Sequence, residues 1–151
     1  MIINTKGIEV KDSVDFINKS GIFLGKITKW ALDGHNNNGD LKFKIFFQCV
    51  ENGTTEPFYM HSEAFSVASN MLWKIKMLET AIKAPEIYNL DDFVGRYVIM
   101  NIKEEKYENS TKSGVSYKIR KYEYSPLNDR LEPIPAAVEN SDDNEDDPLP
   151  F

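Results

Sequence analysis

Cysteine is nearly absent: Cys49 is the single one in 151 residues. That excludes an internal disulfide framework and any multi-cysteine zinc site. Its place in an apolar strand pattern predicts a buried small residue. Histidine is almost as scarce. His35 stands in an Asn-rich loop pattern and His61 closes a strand pattern, and neither has neighbours at ligand or triad spacing. A Gly-rich phosphate loop and a Gly-x-Ser-x-Gly elbow are both missing. Asp91 and Asp92, just before Phe93-Val94-Gly95, suit a turn or cap better than a metal pair. The expectation is a protein that is not an enzyme and needs no cofactor or metal. A nuclease site made of carboxylates distant in sequence is the one catalytic alternative left open.

Long apolar runs are also lacking. The opening M-I-I-N-T-K-G-I-E-V has no signal-peptide layout, and no stretch approaches membrane-spanning length. A cytoplasmic protein is expected, in which the sequons at Asn52 and Asn109 are chance matches on loops.

Positive charge is absent from one region. Beyond Val138 there is no Lys or Arg, while Glu139, Asp142, Asp143, Glu145, Asp146 and Asp147 are acidic. The remaining residues carry as many acids as bases, so the acidity belongs to the tail and the body is free to carry basic surfaces. An acidic run with almost nothing apolar to bury does not fold alone, so a disordered tail is expected. It leads to Pro148-Leu149-Pro150-Phe151. The two prolines favour an extended backbone, and a final Phe offers a ring and a carboxylate at one point. The tip formed by Asp146, Asp147, Pro148, Leu149, Pro150 and Phe151 therefore reads as a docking element for a partner protein.

The remainder has the size of one domain, over residues 1–126, with a linker and tail over 127–151. A first strand is expected over Gly21 to Leu32, bent or bulged at Gly25, then a loop over Asp33 to Asp40. A second strand covers Leu41 to Val50, with Phe43, Ile45 and Phe47 on one face, and a third covers Thr55 to His61. Phe65, Ala68, Leu72, Ile75, Leu78 and Ile82 then recur at helical spacing, and this helix ends near Lys83, before Pro85. Arg96 to Lys103 and Gly114 to Tyr124 read as strands four and five around a long polar loop, Glu104 to Ser113. Three strands, a helix and two strands predict a mainly β protein, a five-stranded OB-fold barrel with one amphipathic helix between strands three and four. A sheet with the helix packed on one face is the alternative.

Basic residues alternating with aromatic ones suit single-stranded nucleic acid, whose phosphates need cations and whose bases stack on aromatic faces. Three strands offer this. Lys26, Thr28 and Trp30 share a face if the first strand bulges at Gly25; Lys42, Lys44 and Phe46 share the second strand's non-core face. Lys118, Arg120, Tyr122 and Tyr124 share a face of the fifth, with Val115, Tyr117 and Ile119 inward. Lys106, Tyr107 and Lys112 add a basic, aromatic loop.

The tip D-D-P-L-P-F resembles that of bacterial single-stranded DNA-binding proteins, with Pro148 as an addition to the usual spacing. The body is similar to a family of phage single-stranded DNA-binding proteins, through D-D-F-V-G-R-Y-V-I-M-N-I-K-E-E-K-Y from Asp91 and S-Y-K-I-R-K-Y-E-Y-S-P from Ser116. The resemblance implies an OB-fold and sequence-independent single-stranded DNA binding in phage replication, recombination and repair, in the cytoplasm of an infected host. It also implies a tail that recruits replication or recombination proteins and competes with DNA for basic groups. No membrane partner is expected, and a homodimer is compatible with one short-footprint domain. A recombination mediator or strand-annealing protein, and an adaptor that binds only proteins, are the alternatives.

Overall fold

The computed structural model describes residues 1–7 and 15–138. The acidic run and its tip, residues 139–151, lie outside the described residues. Six strands form one sheet: β1 (Asp15–Phe16), β2 (Gly21–His35), β3 (Leu41–Glu51), β4 (Tyr59–Ser66), β5 (Tyr97–Glu108) and β6 (Ser113–Tyr124). Their order is β1-β4-β3-β2-β5-β6. The pairs are antiparallel except β1 with β4. One helix, α1 (Leu72–Ala81), follows β4.

Alternation sets the core. Phe43, Ile45, Phe47 and Cys49 of β3, Phe23 and Ile27 of β2, and Val98, Met100 and Ile102 of β5 are buried, with Ile75 and Leu78 of α1 packed on them. Burial pushes the Cys49 thiol up to about 12, which leaves it a packing group without nucleophilic character.

Gly25 belongs to this core and not to a bulge. A Cβ there would stand 2.7 Å from Met100 Cε, 3.2 Å from its Sδ and 3.4 Å from Phe47 Cδ2. Gly25→Ala is therefore expected to destabilise the fold by about 1–3 kcal/mol through overpacking. Shortening Met100 to Val in the same chain should recover part of that loss in urea melts. Gly95 has a different task. Its φ of +94° turns the chain after buried Phe93, and its N–H donates to Ile27 O at 2.7 Å, seating the Phe93-Val94-Gly95 turn against β2.

Several boundaries differ from the sequence reading. Among the described residues the sheet has six strands, because a two-residue β1 adds to the β4 edge. β2 continues through Asp33-Gly34-His35, where His35 still pairs with Leu41. The loop shrinks because Asn36 Oδ1 accepts the N–H groups of Asn38 and Asp40, both at 2.9 Å. The third strand lies later than Thr55 to His61, and Phe65 is a strand residue, buried with His61 and Glu63 on alternate positions. A short spacing overlap between periods of two and four hides that boundary. Helix α1 buries Ile75 and Leu78 but leaves Leu72 half-exposed. It ends at Ala81, and Lys83, two residues on, is a non-glycine residue at φ 60° whose Nζ lies 4.0 Å from the Tyr124 ring centroid.

The expected long loop between β5 and β6 is mostly strand. Pairing runs from Lys103–Lys118 out to Glu108–Ser113, and the turn is tied by Asn109 Oδ1, which accepts from Thr111 and Lys112 N–H. β2 stops pairing with β5 at Gly21–Ile102, so the outer part of this hairpin is a two-stranded arm. Residues 127–138, read as linker, are part of the folded body. Asn128 accepts from Tyr97 N at 2.8 Å and donates to Tyr97 O at 2.7 Å, Ile134 is buried in the core, and Ala137 N–H donates to Ile87 O.

Among the described residues no ladder joins β4 to β6, so the expected closed barrel is not formed by backbone pairing. A side chain spans the seam instead. Glu63 of β4, 4% exposed, accepts the Ile119 N–H of β6 at 3.1 Å. Lys74 of α1 stands 3.7 Å from the same carboxylate and donates to Ala64 O at 2.7 Å. The helix thus packs against both strands where they approach.

Candidate nucleic-acid interface

Residues opposite one another in an antiparallel ladder point to the same side of the sheet. On the side away from the core, register places Lys42 beside Ser66 and aligns Ala31, Lys44 and Ala64. Next come Lys29, Phe46 and Ser62, and then Tyr97, Lys26, Gln48 and Met60. These rows hold four lysines and two aromatic rings and no carboxylate. Lys29 Nζ lies 4.8 Å from the Phe46 ring centroid and Lys26 Nζ 5.8 Å from that of Tyr97. Among the described residues none of Lys26, Lys29, Lys42 and Lys44 has an acidic partner, whereas Lys19, Lys74, Lys76, Lys121 and Arg120 each do. Unpaired cations interleaved with aromatic faces can hold phosphates and stack bases without reading sequence. A shallow cleft continues the face beside Lys26, lined by Leu24, Val50, Phe58 and Tyr97, and Phe58 is half-exposed there.

Lys26, Lys42, Lys44 and Phe46 therefore stand together as the sequence suggests. Trp30 does not join them. The bulge falls at Thr28, between Ile27 and Lys29, so every later side chain of β2 changes face. Trp30 pairs with Ile45 on the core side and its Nε1–H donates to Asp91 Oδ1 at 2.7 Å. Lys29 takes the outward position that Trp30 was expected to hold. A second shift between Asn101 and Ile102 leaves Arg120 as the extra residue of β6 and does the same there. Tyr122, opposite Met100, is buried at 9% exposure and is unavailable for stacking on bases. Tyr124 lies on its side of the strand, with its hydroxyl bound to Asp129. Burial, then the nearby Glu63, holds the Tyr122 phenol well above its ordinary range.

The arm carries the remaining predicted residues. Lys118 is directly opposite Lys103, both exposed, a like-charge pair that an anion between them would relieve. Arg120 is ion-paired to Glu105. Tyr107 lies across Gly114, whose missing side chain makes room for the ring: a Cβ would come 2.7 Å from the tyrosine hydroxyl. Lys106 pairs with Val115 on the opposite side of the arm, and Lys112 is in the exposed turn. The predicted docking residues 146–151 lie outside the described residues.

Sequence reasoning missed Lys29 and Tyr97. The second was readable from Y-V-I-M-N-I, where burying Val98, Met100 and Ile102 turns Tyr97 outward; the first required the bulge at Thr28, which no glycine marks.

Among the described residues no three His, Cys, Asp or Glu side chains are grouped as a metal site, and no helix is long and apolar enough to cross a membrane. His61 and Glu63 sit at the seam, with His61 Nε2 3.6 Å from the carboxylate. Compared with protein-family models and with curated proteins, the chain matches none.

Proposed function

We propose that this protein binds single-stranded DNA without sequence preference and without catalysis. The observation that carries the reading is the set of outer rows across β5-β2-β3 in which Lys26, Lys29, Lys42 and Lys44 are interleaved with Phe46 and Tyr97 and which hold no carboxylate. An OB-type barrel, the finer reading of the fold, is supported by the order of β2 to β6, by α1 between β4 and β5, and by the Glu63 bridge across the open seam. The resemblance of the 91–126 region to phage single-stranded DNA-binding proteins supports a place in phage DNA replication and recombination. The acidic residues from Glu139 onward then recruit partner proteins and compete with phosphates for the outer-face lysines.

Titration with oligo-dT and with duplex DNA at several salt concentrations tests this reading. Oligo-dT should bind in preference to duplex, with log K falling linearly in log salt. Each of Lys26, Lys29 and Lys44 changed to Ala should flatten that slope by about 0.7. A chain ending before Glu139 should bind more tightly at low salt, and unchanged affinity would refute the competition. An adaptor that binds only proteins has one observation in its favour. An apolar groove of about 420 Å³ is bordered by exposed Leu32, Val67, Leu72 and Ile87. Absence of oligo-dT binding at low salt would favour it.

A further inference from the structure

Helix α1 turns Ile75 and Leu78 into the core and leaves Trp73 58% exposed on the flank that faces β6. Two clefts open beside this indole. Met77 and Tyr122 form the floor of both; Lys76 and Lys121 border one, of about 370 Å³, and Lys74 and Arg120 border the other. Neither cleft has a carboxylate in its lining. Lys74 is committed to Glu63 and Ala64. Lys121 pairs with Glu123 and Arg120 with Glu105, with these side chains about half-exposed, and exposed pairs of this kind hold their cations weakly enough for phosphates to replace the carboxylate. Lys121 connects this region to the outer face. By register it lies beside Asn101 on the outer side of the sheet, yet it borders the Trp73 cleft, because β6 is the sheet edge and a lysine stem can wrap round it.

We propose that Trp73 is a second stacking platform, over which a single strand crossing the outer face continues round the β6 edge, its phosphates taken by Lys121 and Arg120. The inference rests on single-strand binding by the outer face and extends its track. Charge complementarity selects a polyanion, and an exposed indole between two cation-bordered clefts selects one with flat rings.

Trp30 and Trp73 are the two tryptophans of the chain, so they can be separated by fluorescence. Full-length Trp30→Phe and Trp73→Phe proteins are titrated with oligo-dT of about 6 and about 20 nucleotides, and binding is followed independently by anisotropy of the labelled oligomer. The longer oligomer should quench the protein that retains Trp73. The Trp73→Phe protein should bind with little quenching. Trp73→Ala should weaken the longer oligomer about ten-fold and leave the shorter one unchanged. Tight oligomer binding with no Trp73 quenching and no length-dependent loss overturns the second platform while leaving the outer face intact. No anisotropy change for any protein at low salt removes both readings. A synthetic peptide of residues 139–151 that quenches Trp73 where oligo-dT does not would make the cleft a peptide site and overturn the proposal.

Discussion

Replacing Glu63 by Ala is expected to lower stability by about 3 kcal/mol, because one buried carboxylate serves several partners. It accepts the Ile119 N–H that ties β6 to β4, faces Lys74 at 3.7 Å and lies 3.6 Å from His61 Nε2. Truncation strands the amide of Ile119 and takes the counter-charge from Lys74, beside Tyr122 Oη and His61 Nε2, two buried atoms with no hydrogen-bond partner among the described residues. Glu63→Gln keeps an acceptor for Ile119 and should cost less. Burial alone would raise the Glu63 pKa, but His61, Lys74 and the Ile119 N–H outweigh it and hold the group below its ordinary 4.5. A folded pKa lower than the unfolded one means that the ionised carboxylate stabilises the fold above pH 4.5. That contribution is lost as pH falls through the folded value. Urea melts across this range should show a loss in the parent protein that Glu63→Gln lacks. Equal pH dependence in the two would contradict the seam.

Reversing three outer-face charges together, Lys26→Glu, Lys29→Glu and Lys44→Glu, should weaken oligo-dT binding on the order of 10²- to 10³-fold at low salt. None of the three lysines has an acidic partner among the described residues, so melting should change little. Reversing Lys6, Lys19 and Arg130, three exposed cations outside the outer rows and the Trp73 clefts, provides a charge-matched comparison with a smaller effect on binding. Comparable losses in the two sets would point to net charge rather than to a located face.

β3 was legible from sequence because both of its faces have clear chemistry: Phe43, Ile45 and Phe47 inward, Lys42, Lys44 and Phe46 outward. The succession of strands about one helix was legible in outline, but β1 was missed and the overlap of periods two and four assigned Phe65 to the helix instead of β4. The faces of β2 and β6 beyond their bulges were not. A bulge inserts one residue, and from there each side chain points the opposite way. I-T-K-W and I-R-K-Y carry no glycine or proline to mark it, so Trp30 and Tyr122 were assigned to the wrong side. Gly25 attracted the bulge expectation, yet its missing side chain makes room for Met100, a contact between strands that local sequence cannot reveal. The Glu63 bridge was hidden for the same reason. A glutamate in an alternating strand looks solvent-facing until β6 and Lys74 arrive beside it.

Chemical-shift mapping of the ¹⁵N-labelled full-length protein with oligo-dT locates the bound strand residue by residue. The amides of Lys26, Lys29, Lys44, Phe46 and Tyr97 should shift together, fade together as salt rises, and respond far less to duplex DNA. Shifts centred on the apolar groove of Leu32, Leu72 and Ile87, or an outer face unmoved at low salt, would contradict single-strand binding by the outer face.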